Sequence, residues 1–326
     1  MIDGHGDDIY RYNDIRMNFS SNIPSFADLS ALKSHLYSRL AAIASYPQAS
    51  GEALEAKIAH SIGRKASEVM VTSGATEAIY LIAQALARQC AEEERTYTVF
   101  HPTFSEYDSA CQMFGMRPTE QGTSCWLCNP NNPTGTIRDE AFIRQLAQRH
   151  RWLVVDQSYE DYAAAQLPDV GSLPNVICLH SMTKKYCIPG LRLGYLTAPA
   201  PVVDMVRRER RPWAVNALAI EAGLWLAKEQ PRMVDMPAYL REAQRLRSLL
   251  DTIPGIHVGQ TQTNFMLCTI DGHTAAELKE HLALRHGILI RDASNFPGLT
   301  PHHFRVAAQR PEENDTLVKV ITDYVS

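Results

Sequence analysis

The run Ser181-Met182-Thr183-Lys184-Lys185-Tyr186-Cys187-Ile188-Pro189-Gly190-Leu191-Arg192-Leu193-Gly194-Tyr195 carries the residue types needed to hold a phosphorylated carbonyl compound. An amine captures a carbonyl only when it is desolvated enough to be neutral part of the time, and a phosphate needs a guanidinium and hydroxyl donors. Lys184, which follows the buried-strand pattern of Val176 to Leu179, supplies the amine. Arg192, eight residues on, and Ser181, three residues before, supply the phosphate donors. Taken alone, Lys184-Lys185 would read as a surface lysine pair.

Other residues give the run its meaning. Asp156 ends the apolar strand Leu153-Val154-Val155, at the carboxyl edge of the sheet where α/β proteins bind ligands. A carboxylate there can keep a heteroaromatic ring nitrogen protonated, which makes the ring an electron sink. Tyr159, three residues on, and Asn132, in Asn129-Pro130-Asn131-Asn132-Pro133-Thr134-Gly135, can both donate to a ring oxygen. A helix cap and a tight turn are the plainer explanations of that Asp and that loop. Ser73-Gly74-Ala75-Thr76 lies between a strand and a helix, where free amides and the helix dipole attract an anion; Phe104, after another strand, can cover a ring face. In Phe304-Arg305-Val306 an arginine sits inside an apolar strand, and a buried guanidinium requires an anionic partner such as a substrate carboxylate.

The elements that position these residues follow from the pattern of apolar runs. Leu29 to Ile43 has helical spacing and is broken by Ser45-Tyr46-Pro47. Strands are expected at Val69 to Val71, Val99-Phe100, Cys125 to Cys128, Trp152 to Val155, Val176 to Leu179 and Leu193 to Thr197, with a long helix from Glu77 to Ala91. Short apolar strands alternating with helices predict a mostly parallel sheet covered on both faces. Past Pro212 the pattern becomes helices over Ala214 to Ala227 and Met236 to Leu250, strands near His257, Phe265 and Ile288, and a closing helix from Glu312. The expected division is an N-terminal arm over 1–35, a large domain over 36–211 and a small α+β domain over 212–326.

Composition narrows the partners. With 326 residues, a formal charge of -4 and 45% hydrophobic residues, the chain can bury a large core and has no basic face suited to nucleic acid. No apolar run reaches the roughly 18 residues of a membrane span, and the acidic opening Met1 to Asp8 does not resemble a signal peptide, so a cytoplasmic protein is expected. The seven cysteines suit reduced thiols. Cys125 and Cys128 read as core-strand residues, with no metal site expected, and Arg207-Arg208-Glu209-Arg210-Arg211 reads as the wet end of a helix.

Taken in order along the chain, Asn132, Asp156, Tyr159, Lys184, Arg192 and Arg305 resemble the fold-type-I, pyridoxal 5′-phosphate-dependent aminotransferase superfamily over almost the whole sequence. Within it the chain resembles the histidinol-phosphate aminotransferase branch and, more closely, the L-threonine-O-3-phosphate decarboxylases of cobalamin biosynthesis. The latter likeness rests on His5-Gly6, on Pro212 to Ala219, and on Ile288 to Leu299. The resemblance implies that Lys184 holds the cofactor covalently and that Asp156 pairs with its pyridine nitrogen. It further implies that Asn132 and Tyr159 bond the phenolic oxygen, that Phe104 stacks, and that Ala75, Thr76, Ser181 and Arg192 hold the phosphate. Tyr46 matches a tyrosine that reaches a neighbour's cofactor phosphate, which implies a homodimer with shared sites. Arg305, Arg291, His5 and Asn22 are implied around the substrate. Three departures bear on the substrate rather than the chemistry: Gln157 stands where an acidic residue is usual, Gly6 is followed by Asp7 rather than a second glycine, and the chain is short for the family. The activity implied is decarboxylation of threonine phosphate, with 2-oxoglutarate-dependent transamination as the alternative.

Overall fold

Runs such as Val69-Met70-Val71-Thr72 and Trp152-Leu153-Val154-Val155-Asp156 lack polar alternation, the pattern of strands covered on both faces. In the computed structural model, which describes residues 6–326, both join one seven-stranded sheet. In chain order the first elements are β1 (Met17–Asn18), α1 (Ser30–Ser38), α2 (Glu52–Ser61), β2 (Val69–Thr72), α3 (Gly74–Arg88), β3 (Thr96–Val99), α4 (Glu106–Met113) and β4 (Arg117–Pro118). Then come β5 (Ser124–Cys128), α5 (Glu140–Arg149), β6 (Trp152–Asp156), β7 (Val176–His180), α6 (Met182–Lys185), β8 (Gly194–Thr197), α7 (Ala200–Arg207) and α8 (Ala217–Glu229). The large sheet runs β2-β8-β7-β6-β5-β3-β4, parallel except for β8, which is antiparallel to both its neighbours. Cys128, Asp156 and Leu179 are aligned across β5, β6 and β7, so the segments carrying Asn132, Tyr159 and Lys184 leave the sheet at one edge.

Both faces are covered. Ile79, Ile82 and Leu86 of α3 pack with Met70, Val154 and Ile177 on one side, while Ile143 and Leu146 of α5 pack with Leu127 and Val155 on the other. Each such fully buried side chain contributes roughly 1.5–3 kcal/mol. Helix α8, expected in the smaller unit, instead packs against α1 and α2, with Ala219, Ile220 and Leu226 in the core that includes Val69 and Val71. It starts at Ala217 rather than Ala214 because the Asn216 side chain accepts from the Ala219 amide at 2.8 Å, a standard N-cap.

The rest of the chain forms α9 (Met236–Leu250), β9 (Ile256–Val258), β10 (Phe265–Ile270), α10 (Ala275–His286), β11 (Ile288–Leu289), β12 (Arg291–Asp292), β13 (His303–Ala307) and α11 (Pro311–Val325). An antiparallel sheet of order β12-β13-β10-β9 shares its core with α9, α10 and α11. The N-terminal arm is stitched onto this unit: β1 pairs in parallel with β11, and buried Phe19 donates to Leu289 and accepts from Ala307.

Three further expectations change. The helix expected over Leu29 to Ile43 breaks at Arg39, whose guanidinium meets Glu221 of α8 at 2.9 and 3.1 Å, and continues as a 3-10 turn over Leu40–Ala44. The helix expected from Glu77 already begins at Gly74, so Ala75 and Thr76 form its first turn. The arginine run is not merely solvated: Arg207 and Arg210 both reach the buried carboxylate of Glu55 at 2.8 Å, and Glu55 also accepts from the Val71 amide at 3.1 Å. Cys125 and Cys128 are buried and unpaired, their thiols pushed up to about 12 by burial, as core residues should be. Among the described residues no helix is long and apolar enough to cross a membrane.

Candidate active site

At the carboxyl edge of the large sheet, facing the smaller unit, lies a cavity of about 300 Å³. Eleven of the residues singled out from sequence lie on its wall: Ala75, Thr76, Phe104, Asn132, Asp156, Tyr159, Ser181, Lys184, Arg192, Arg291 and Arg305. Five different strand ends and the smaller sheet contribute to it. That convergence separates the set from chance caps and turns.

Lys184 sits in the one-turn helix α6 rather than in a loop, and the Ser181 side chain caps that turn by accepting from the Lys184 amide at 3.4 Å. Its ammonium has no carboxylate at ion-pair distance among the described residues; it donates to the Ser21 carbonyl at 3.0 Å. Burial, then the charge of Arg305, pushes its pKa down to about 8. Lys185 points the other way and pairs with Asp161 at 3.0 Å. The two lysines therefore differ in kind: one is a poised amine and the other is salt-bridged.

Asp156 is 4% exposed, and burial raises its pKa despite donors on both oxygens: the Ser158 amide at 2.8 Å and the Tyr107 hydroxyl at 2.7 Å. No cation stands at ion-pair distance among the described residues. Tyr159 is buried, its pKa pushed up to about 12 by that burial, so it remains a hydrogen-bond donor at neutral pH; its hydroxyl accepts from Asn22 at 3.2 Å. Asn22, expected at the substrate, is not on the cavity wall. It is fully buried, its backbone is left-handed at φ 58°, and its amide backs Tyr159.

The anion end is built from α3 and Arg192. The guanidinium of Arg192 lies over the start of α3 so closely that a Cβ on Gly74 would meet it at 2.8 Å, and Gly74 has φ +79°. Gly194 is required for a related reason, since a Cβ there would stand 2.9 Å from the Ala75 amide nitrogen. The bare backbone at both positions leaves the helix amides open to a phosphate.

Arg305 and Arg291 face each other in register on β13 and β12, 5% and 6% exposed, with no carboxylate at ion-pair distance among the described residues. Burial pushes both down to about 10. Arg305 donates to the Asn132 side-chain oxygen and, at 2.7 Å, to the Ser20 carbonyl, while its Nε is buried without a partner among the described residues; Arg291 donates to Asn295 at 2.7 Å. Two buried guanidinium groups side by side are costly unless an anion joins them.

Tyr46 does not reach this cavity. It is 84% exposed and packs on Trp213, with ring centroids 5.1 Å apart. His5 lies outside the described residues. Sequence reasoning missed Tyr107, the Ser20 and Ser21 carbonyls, and Asp7, which lines the cavity with φ 66°. Tyr107 was within reach of a helical-spacing argument, three residues after Phe104; main-chain carbonyl contacts leave no mark on residue type.

The donor set fits pyridoxal 5′-phosphate on structural grounds. A neutralisable lysine, a buried carboxylate lacking a cation, a guanidinium over an open helix start, and an unpartnered arginine Nε supply the aldehyde, ring-nitrogen, phosphate and substrate-anion contacts this group needs.

Comparison with known proteins agrees. The profile of the aminotransferase class I and II family matches residues 14–120 and 119–321. The chain is 28% identical to the threonine-phosphate decarboxylase of Salmonella typhimurium, over 95% of this chain and 91% of that one. It is 29% identical to the histidinol-phosphate aminotransferase of Roseiflexus castenholzii, over 85% and 80%. Among solved structures, the L-threonine-O-3-phosphate decarboxylase of Porphyromonas gingivalis superposes with a TM-score of 0.88 at 30% identity, covering 95% of this chain and 99% of that one. With both structural units matched, the chain belongs to the class I and II aminotransferases, fold-type-I enzymes dependent on pyridoxal 5′-phosphate.

Proposed function

We propose that the protein decarboxylates L-threonine O-3-phosphate to 1-amino-2-propanol phosphate and carbon dioxide, as in cobalamin biosynthesis, acting as a cytoplasmic homodimer. The observation that carries this reading is the register pair Arg291 and Arg305, two buried cations without a carboxylate partner among the described residues. One substrate carboxylate needs one guanidinium, whereas a phosphate has more oxygens and nearly twice the charge.

The cofactor, when bound, supplies the electron sink for charge developing at the substrate Cα. Lys184 holds its aldehyde carbon, and Asp156 holds the proton on its ring nitrogen. Asn132 and Tyr159 donate to its phenolic oxygen, Phe104 covers a ring face, and Ala75, Thr76, Ser181 and Arg192 bind its phosphate. Tyr46 of one subunit reaches the phosphate held by the other. Arg291 and Arg305, with His5 from the arm, grip the substrate phosphate, leaving the carboxylate free to turn perpendicular to the ring. The charge left at Cα as carbon dioxide departs is taken up by that electron sink, and Lys184, once displaced from the aldehyde carbon by the substrate's amine, is placed to return a proton to Cα.

The test is to incubate the holoenzyme with threonine phosphate and no keto acid. Carbon dioxide release, with much weaker action on unphosphorylated threonine, is expected. Strict dependence on 2-oxoglutarate, with glutamate formed and no carbon dioxide, would instead favour transamination, in line with the likeness to histidinol-phosphate aminotransferase.

A further inference from the structure

Tyr107 is 1% exposed on α4, and its hydroxyl donates to Asp156 Oδ2 at 2.7 Å. The other carboxylate oxygen accepts from the Ser158 amide at 2.8 Å, and the Ser158 side chain also bonds the carboxylate. The Tyr107 ring stands edge-on to Phe104, with centroids 5.8 Å apart and planes at 83°, and stacks on Trp126 of β5 at 5.9 Å and 27°. Trp126 is itself fixed, donating through Nε1 to Ser124 at 3.3 Å. One side chain thus touches both Phe104 and Asp156, the residues assigned to the face and the nitrogen of the cofactor ring.

We propose that Tyr107 is a positioning residue that fixes the rotation of the Asp156 carboxylate and keeps it ionised towards the ring nitrogen. This rests on the cofactor placement proposed above. The physical need is clear: a carboxylate buried this deeply favours its neutral form, and a neutral Asp156 would offer the ring nitrogen a hydrogen bond but no countercharge. A phenol donating at 2.7 Å stabilises the charged form and is too weak an acid, in a site this buried, to surrender its own proton. Ser158 holds the carboxylate through its amide at Oδ1 and through its side chain, and Tyr107, on a different element, is the donor that fixes Oδ2. Packing does not explain the hydroxyl, since phenylalanine would keep both ring contacts.

The holoenzyme, loaded with cofactor labelled at the ring nitrogen, reads this directly by nitrogen NMR. Wild type is expected to be protonated at that nitrogen throughout the range in which it is stable, and Asp156→Asn to lose the proton. Tyr107→Phe should deprotonate at lower pH than wild type and lose about tenfold or more in kcat, the loss of one hydrogen bond to a charged group, with KM little changed. Tyr107→Phe combined with Asp156→Asn should be no worse than Asp156→Asn alone. A wild-type nitrogen shift and titration in Tyr107→Phe, or additive losses in the double variant, would overturn the role of Tyr107 while leaving the cofactor placement intact. An unchanged nitrogen shift in Asp156→Asn would overturn the placement and the Tyr107 role with it.

Discussion

Loading of the apoenzyme with pyridoxal 5′-phosphate should follow the titration of Lys184. An ordinary lysine, with a pKa of 10.5, is neutral in about three molecules per ten thousand at pH 7; one held at about 8 is neutral in roughly one of eleven, a gain of about 300-fold. The growth of visible absorbance after mixing apoenzyme and cofactor, measured against pH, should therefore rise with a midpoint near pH 8 and level off above it. Burial is the chief cause of the displacement and Arg305 the next, while Asp7 opposes it. Arg305→Gln should move the midpoint up and Asp7→Asn should move it down. The same displacement bears on stability: between about 8 and 10.5 the unfolded chain holds a proton that the folded one does not. This group therefore makes the apoenzyme more stable as pH rises through that window, and the full penalty is present below it. A loading midpoint at or above 10, or Arg305→Gln shifting it downward, would refute the reasoning.

Lys185→Ala should leave the absorbance and its loss on borohydride treatment in place, whereas Lys184→Ala should abolish both; the opposite result would reassign the anchor. Arg291→Gln should raise KM for threonine phosphate about 10- to 100-fold, the cost of a lost charge-assisted contact, and change action on threonine little; equal losses on both substrates would exclude a phosphate contact. Glu55→Gln should destabilise the fold by about 3–5 kcal/mol in denaturant unfolding, because Arg207 and Arg210 lose their buried counter-ion; a change below about 1 kcal/mol would show that water replaces the carboxylate. Mixing inactive Lys184→Ala chains with chains disrupted at Tyr46 should restore activity in some mixed dimers, and no recovery despite proven mixing would argue against a shared site.

The large-sheet strands and the residues at their carboxyl ends were readable because unbroken apolar runs end on conspicuous residues: Asp156 after Val155, and Ser181 after His180. Arg305 was readable from the conflict of a cation inside an apolar strand. What escaped depends on partners distant in sequence. Glu55 lies about 150 residues from Arg207 and Arg210, and nothing in the run 207–211 announces a buried acid. Helix α8 has the apolar content of either unit, and only its packing on α1 and α2 assigns it to the large sheet. Asn22, which the resemblance implies at the substrate, is fully buried with a left-handed backbone, and its amide donates to Tyr159, a contact its residue type does not announce.

The arm between β1 and α1 meets the two central cations of the site through main-chain oxygens, Ser20 to Arg305 and Ser21 to Lys184. The side chains here are constrained separately, since Ser20 is fully buried with its hydroxyl accepting from the Asp7 amide at 3.0 Å, so the segment tolerates only small side chains at that position. What it cannot absorb is a change of length. One residue inserted or removed between Asn18, pinned by its ladder to β11, and Ser21 would shift the carbonyls out of register with both cations at once. For anyone redesigning this pocket, the spacing of the arm is the coordinate to preserve, together with the buried hydroxyl of Ser20.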